Sequence, residues 1–363
     1  MMIVFLFAIS LYVLFVWSRL VVLIKEVSPL KEYNSMSLTR FSIIIPFRNE
    51  EKRLGQLLDS LNKIKYPTNK YEIIFVNDHS SDQSTELISK SLSIPYTIYE
   101  LPKSKNGKKS AITWGAQQAK LDWLVFTDAD CILENAHLNT LHNGIVVYNA
   151  DYIAGHICFN KPYDFISYFE SFENIILQGY TAAGFKLKNP TLANGANWAV
   201  KKALFLNHSY NKSEGPSGDD VFFLHWVKKN YRVVFLSNLV VTTSFSENIK
   251  NFINQKLRWA SKSLKYLDKS TIWQGLVIIC GQIGFVGLII LLLFTKKISI
   301  LALSVLILKP VMDGLFYMFS ARQFNVSPNV LSIIMGIVLY PFYSVLIALL
   351  SPFINFRWKD RTY

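Results

Sequence analysis

The stretch Trp123-Leu-Val-Phe-Thr-Asp128-Ala-Asp130-Cys131 sets two carboxylates one residue apart directly after an apolar run. A buried strand ending in Asp-x-Asp presents hard oxygen ligands at its carboxyl end, where open α/β sheets bind ligands. Mg²⁺ or Mn²⁺ suits such a pair, because these ions prefer oxygen donors and are held by one or two carboxylates together with substrate phosphates. A chain of this length holds about one Asp-x-Asp by chance, so the surrounding sequence has to carry the reading. Asp78 follows the apolar run Tyr71–Asn77 and either caps the turn Asp78-His-Ser-Ser-Asp82 or accepts a hydrogen bond from a nucleobase N–H. Asp219 and Asp220 follow Glu214-Gly-Pro-Ser-Gly218 at the start of a helical pattern, where they either complement the helix dipole or supply a general base. Lys103-Ser-Lys-Asn-Gly107-Lys108-Lys109 precedes another helix and reads as an anion site or as solvated lysines. Asn194-Gly195-Ala-Asn197-Trp198 is turn-like and suits close approach of backbone to a ligand.

The elements that position these residues alternate. Phe41-Ser-Ile-Ile-Ile-Pro46 reads as a short strand ended by proline, and Leu54, Leu57, Leu58 and Leu61 predict a helix over Glu50–Asn62. Further strands are expected at 71–77, 97–101, 123–127, 152–159 and 232–236, with helices at 83–91, 110–119, 138–148 and 165–179. That alternation predicts an α/β fold. Gln255-Lys-Leu-Arg258-Trp259 lies on a basic amphipathic stretch, 249–266, of interfacial character, which does not by itself explain the Gln, Arg and Trp spacing.

Hydrophobic residues make up 51% of the chain, and the excess sits at its ends. Residues 1–24 carry one charge, Arg19, without a basic start or a small-residue cleavage site, so an uncleaved anchor is expected over a signal peptide. Residues 276–294 and 330–354 are uncharged and read as spanning helices. Between them, 298–320 holds Lys309 and Asp313 on one helical face beside Pro310, and either crosses or re-enters, with the pair facing protein or water. The expected organisation is an anchor (1–24), a connector (25–40), a catalytic domain (41–248), an amphipathic interfacial segment (249–271) and a membrane region of two or three spans (272–363). Net charge is +13, yet residues 25–271 hold 30 basic against 23 acidic side chains without a dense block. That favours a domain lying on anionic lipid over a nucleic-acid binder. Three cysteines without paired spacing give neither a disulfide framework nor a zinc site.

Taken in order, Ser42-Ile-Ile-Ile-Pro46 with Asn49-Glu50, Val76-Asn-Asp78-His-Ser-Ser-Asp82, and Lys108 ahead of Ala111 and Gly115 carry a resemblance. Asp128-Ala-Asp130, Gly195-Ala-Asn197, Gly218-Asp219-Asp220 and Gln255-x-x-Arg258-Trp259 complete it. Together, over residues 40–267 and the flanking helices, they resemble the family-2 glycosyltransferases. The likeness is to the membrane-embedded branch of cellulose, chitin and hyaluronan synthases and ceramide glucosyltransferases. It implies a GT-A type fold, a mixed, mostly parallel sheet with flanking helices, and transmembrane helices at both ends. It also implies Mg²⁺ or Mn²⁺ and a nucleotide-diphosphate sugar, a UDP-sugar being expected first. By the same resemblance Pro46, Glu50, Asp78, Lys108, Asp128 and Arg258 bind the nucleotide sugar, with Asp78 at the base and Arg258 at the diphosphate. Asp128 and Asp130 hold the metal, Asp220 with Asp219 beside it matches the catalytic carboxylate, and Asn197, Gln255 and Trp259 face the acceptor. The chain departs from the family at Asn77, where a carboxylate is common, at Asp219 in place of glutamate, and at Ala-Ile-Thr-Trp-Gly115 in place of Ala-Leu-Asn-x-Gly.

The function so implied is transfer of a sugar, with inversion and metal assistance, to a membrane lipid or growing glycan. Processive polysaccharide synthesis stays open, although so few spans would call for a membrane partner or oligomer to complete a channel. A catalytically idle sugar-nucleotide binding scaffold also stays open, and intact Asp128, Asp130 and Asp220 argue against it. The protein is expected to be integral to the cytoplasmic or plasma membrane, with 25–271 cytosolic. Three C-terminal crossings would set Arg357, Lys359 and Arg361 outside, against the positive-inside tendency, whereas two would return them.

Overall fold

The computed structural model describes residues 1–24, 37–208, 218–263, 265–296, 299–354, 357–358 and 361–362. Most of the expected connector, 25–36, and the loop 209–217 lie outside the described residues. The strands of the main sheet are β1 (Phe41–Phe47), β2 (Tyr71–Asn77), β3 (Thr97–Glu100), β4 (Trp123–Phe126), β5 (Ile132–Leu133), β6 (Tyr152–Phe159), β7 (Trp198–Lys201) and β8 (Val233–Thr243). Among the described residues they form one sheet in the order β3-β2-β1-β4-β7-β6-β8-β5. β1 pairs parallel with both β2 and β4, so the strand order reverses beside it and the ends of β1, β2 and β4 open onto one crevice. β7 then runs antiparallel between β4 and β6, which makes the sheet mixed.

Alternate residues of β1 enter opposite cores, as the two-residue period of a strand requires. Ile43 and Ile45 pack with Leu54, Leu57, Leu58 and Leu61 of α2 (Leu54–Leu61) and Ile88 of α3 (Ser84–Ser91). Ile44 packs on the other face with Ala111, Ile112 and Ala116 of α4 (Lys108–Gln118). Strand β1 runs one residue past Pro46, where the sequence predicts its end. The β1–β4 ladder stops at Ile44, and by alternation Pro46 faces that unpaired side, so its missing amide breaks nothing. Helix α5 (His137–Tyr148) precedes β6, α6 (Phe165–Lys186) continues past its expected end at 179, and α7 (Lys202–Asn207) follows β7. Then come α8 (Asp219–Val227), β8, which is longer than expected, and α9 (Ile249–Ser263).

Four helices are long and apolar enough to cross a membrane: α1 (Met2–Ile24), α10 (Lys269–Thr295), α11 (Ile300–Gln323) and α12 (Val330–Leu350). Helix α11 is continuous through Pro310. Its Lys309 and Asp313 pair at 2.7 Å and face α1, whose Tyr12 hydroxyl donates to Asp313 at 2.7 Å. Gly281, Gly284 and Gly287 of α10 lie against Tyr12, Phe5 and Ala8 of α1, and small residues at this spacing let two helices approach closely. Helix α6 joins this bundle to the sheet: Ala182 and Ala183 pack with α1 and α11, and Phe172 stacks on Tyr317 at 5.2 Å.

Candidate active site

The carboxyl ends of β1, β2 and β4 carry the polar residues of the crevice. Beyond β4, Asp128 and Asp130 leave the sheet about a third exposed, their side chains at 34% and 31%. Lys108 Nζ, at the first residue of α4, sits 2.5 Å from Asp128 Oδ1 and donates to the Gly195 carbonyl at 3.3 Å. A methyl group added at Gly195 would stand 3.2 Å from Asp220 Oδ2 and 3.4 Å from Lys108 Nζ. Asp128, Lys108, Gly195 and Asp220 therefore converge, although they come from four separate parts of the chain.

Asp78 joins the same constellation from β2. It is buried, and its Oδ2 accepts the Gly107 amide at 3.0 Å. Gly107 has φ 86°, a conformation that glycine adopts without cost, and it opens α4 directly before Lys108. Arg48 donates to the carbonyls of Asp78 and His79 at 2.7 and 3.1 Å. That holds His79 at φ 58°, a sparsely populated conformation of the kind that gathers at functional sites. Glu50 is buried in the loop after β1, where its carbonyl accepts the amides of Arg53 and Leu54 at 2.9 Å and starts α2. Pro46 lies at the crevice end of β1.

Asp220 is 7% exposed near the amino terminus of α8, which begins after Gly218 at φ 93°. A side chain at Gly218 would meet Phe222 at 2.9 Å and Lys262 Cδ at 3.2 Å, so α9 presses on the turn that presents Asp220. The opposite end of α8 is tied to α10: Lys228 pairs with Asp268 at 3.0 Å, and His225 Nε2 lies 2.9 Å from Thr271 Oγ1. The side chain of Asp219 lies outside the described residues.

Two neighbouring groups register the carboxylates. Burial, then the charges of Asp130 and Asp128, push the Cys131 thiol well up. Burial, then the charge of Asp220, raise the Tyr266 hydroxyl. Among the described residues no group of three His, Cys, Asp or Glu stands ready as a complete metal cage. Two partly exposed aspartates still fit a hard divalent ion that takes its remaining oxygens from phosphate and water.

Gln255, Arg258 and Trp259 share α9. Arg258 lies one turn before Lys262 and so shares the face that touches Gly218. Trp259 is exposed, and Gln255 Oε1 is buried without a hydrogen-bond partner among the described residues. Asn197 is placed differently from the acceptor role that the resemblance implies. It is 1% exposed, and its amide donates to the carbonyls of His156 and Leu239, both at 2.8 Å, tying β6 to β8. The side-chain nitrogen is taken up in joining strands, and Oδ1 is buried without a hydrogen-bond partner among the described residues, so the side chain presents almost no surface to a ligand.

Arg53 escapes the sequence reading: it reaches Asp130 at 3.8 Å and Glu247 at 3.4 Å. It sits in the run Glu50-Glu51-Lys52-Arg53, where no spacing marks it out. Tyr266 beside Asp220 is missed for the same reason.

Residues 42–206 match the family model Glycosyl transferase family 2. A probable glycosyltransferase of Bacillus subtilis is 25% identical over 238 residues, covering 62% of this chain and 56% of the relative. An undecaprenyl-phosphate 4-deoxy-4-formamido-L-arabinose transferase of Yersinia pestis is 38% identical over 96 residues, 26% of this chain and 29% of the relative. The chain thus spans about half the length of the first relative and less of the second. A mannosyltransferase of Pyrobaculum calidifontis, solved in complex with GDP-Man and Mn²⁺, shares the fold with TM-score 0.60 over 97% of both chains at 14% identity. With the family's motifs drawn together at the carboxyl edge of the sheet, residues 42–206 belong to glycosyl transferase family 2.

Proposed function

We propose that the protein is a membrane-bound inverting glycosyltransferase that moves a sugar from a nucleotide-diphosphate sugar to a membrane-associated acceptor, a lipid or a growing glycan. The observation that carries this reading is the convergence of Asp128, Lys108, Gly195 and Asp220. The four apolar helices support residence in the membrane, and a cytosolic sheet is part of the proposal. The Yersinia relative, named for undecaprenyl phosphate, supports a lipid acceptor.

In this reading Asp78 holds the nucleobase while Gly107 fixes its carboxylate. Asp128 and Asp130 hold a divalent ion, Mg²⁺ or Mn²⁺. Such an ion, when bound, neutralises charge that grows on a leaving diphosphate. Lys108 and Arg258 add positive charge around the diphosphate, held in place before the charge develops. The Asp220 carboxylate takes the proton from the acceptor hydroxyl as its oxygen bonds to the anomeric carbon. The bond to the diphosphate breaks on the opposite side, so the nucleoside diphosphate departs and the anomeric centre inverts. A direct displacement of this kind needs no second carboxylate nucleophile of the retaining type.

The test is mass spectrometry of products from the detergent-purified full chain, given UDP-GlcNAc, UDP-Glc or GDP-Man with undecaprenyl phosphate or total membrane lipid. One sugar mass added to a lipid is the expected result. Asp220→Asn should lower turnover at least ~100-fold and leave nucleotide binding within about twofold by calorimetry. Wild-type turnover in that variant overturns the assignment of the base, and absence of nucleotide binding by the parent overturns the function.

A further inference from the structure

Beneath α9 lies a buried ionic cluster that the transfer chemistry does not use. Lys256 is 4% exposed, and its Nζ lies 2.6 Å from Glu173 Oε2 and 3.6 Å from Glu170 Oε1 on α6. Both glutamates are buried. Glu170 also accepts the Ser246 amide at 2.9 Å and the Ser246 hydroxyl at 3.2 Å, and the Tyr343 hydroxyl of α12 donates to Glu173 at 3.2 Å. Four segments thus meet at one ammonium group: α6, the loop ahead of α9, α9 itself and α12.

The same ammonium stands 4.3 Å from the centroid of the Trp259 ring and 4.9 Å from that of Phe252. Trp259 is 38% exposed at the surface of α9. A half-exposed indole on a helix has several rotamers open to it, and a cation fixed under its face selects one. Burying two carboxylates and one ammonium is expensive, and well-packed apolar side chains of similar volume often do as well for stability. Orientation of α9 and of its indole is the return that apolar packing would not supply.

We infer that Lys256 is a positioning residue: anchored by Glu170 and Glu173, it sets the Trp259 ring, and with it the acceptor side of the crevice. The role of Trp259 toward the acceptor rests on the proposed function; the anchoring of its ring by Lys256 does not. Membrane helix α12 enters this arrangement through Tyr343, so the placement of Trp259 is coupled to the bundle.

The test compares the full chain in detergent with Lys256→Met, Lys256→Arg and the charge-neutral triple variant Lys256→Met/Glu170→Gln/Glu173→Gln, which leaves no uncompensated buried carboxylate. The signal of Trp259 is isolated by subtracting the fluorescence of a Trp259→Phe counterpart of each protein, and its quenching by acrylamide is measured. The expected result is a rise of about twofold in the Trp259 quenching constant for Lys256→Met and for the triple variant, with the parent value kept by Lys256→Arg. An unchanged constant in the triple variant, or a change in Lys256→Arg as large as in Lys256→Met, overturns the inference whatever the protein transfers. With turnover of UDP-GlcNAc or GDP-Man onto undecaprenyl phosphate in hand, the triple variant should raise the KM for undecaprenyl phosphate about tenfold and leave the donor KM within about twofold. Equal rises in both KM values overturn the inference. A parent protein that turns over neither donor speaks against the proposed function, and the quenching result then still decides the role of Lys256.

Discussion

Replacing Gly195 by alanine separates activity from stability more cleanly than removing a charged residue would. The added methyl group stands 3.2 Å from Asp220 Oδ2, 3.4 Å from Asp220 Cγ and 3.4 Å from Lys108 Nζ. Contacts of about 3.4 Å or more are ordinary, so the carboxylate oxygen must give by a few tenths of an ångström, while the ammonium is merely touched. Both atoms end flexible side chains, and Gly195 is outside the left-handed region, so the backbone accepts alanine without strain. Loss of chain freedom in the unfolded state contributes about 0.4–1 kcal/mol in favour of the variant, enough to offset the mild crowding. The reacting groups tolerate displacement far less, since a misplacement of about 1 Å costs on the order of 100-fold in rate. A shift of a few tenths of that size predicts that Gly195→Ala melts within about 2 °C of the parent while its kcat falls about 3- to 10-fold. Thermal melting and steady-state turnover of the detergent-purified chain measure both quantities. An unchanged kcat would show that the Asp220 carboxylate does not flank the reacting atoms. A large drop in melting temperature would show that Gly195 serves the fold.

Turnover should stop in excess EDTA and return with Mn²⁺ or Mg²⁺, and Asp130→Asn should raise the metal concentration needed for half-maximal rate about tenfold; full activity in chelator refutes the role of the acidic pair. The pH dependence of stability should be set by buried histidines. Burial lowers His137 and His225 to about 4 and His156 to about 3, from an ordinary 6.5. With the folded values depressed, the unfolded chain takes up protons first as pH falls. Stability is thus complete above pH 6.5 and drops by about 1.4 kcal/mol per pH unit per histidine on the way to pH 4. His156 stacks on Phe324 at 4.1 Å, and neither ring nitrogen has a hydrogen-bond partner among the described residues. His156→Phe should keep the stack and flatten the fall in melting temperature between pH 7 and 5; an unchanged slope would refute this assignment.

Much of the sheet half was legible because strand ends and helix starts are local events. Ile43, Ile44 and Ile45 alternate between two cores, and the leucines of α2 repeat at helical spacing; each pattern marks an apolar face before any partner is known. The apolar ends of the chain, whose helices are long enough to cross a bilayer, were equally plain. Asn197 shows the limit. Its setting beside Gly195 suggested a ligand contact, yet an amide with several hydrogen-bonding directions serves equally well to pin two strands, and only the fold decides between these uses. Nothing in the local spacing singles out Glu170, Glu173 or Lys256 either; only the closing of α6, α9 and α12 over them makes them a buried cluster.

By itself the sequence determined the alternation of strands and helices, the apolar helices at its ends, and the aspartates at strand and helix termini. These follow from periodicity and local hydrogen-bonding demand, which a chain carries in neighbouring residues. Tertiary structure alone decided that β7 inserts antiparallel beside β4, that Gly195 comes between Lys108 and Asp220, and that α9 is clamped by buried charge. Contacts across 25 to 87 residues depend on how crossovers return the chain to the sheet, and no local spacing encodes that.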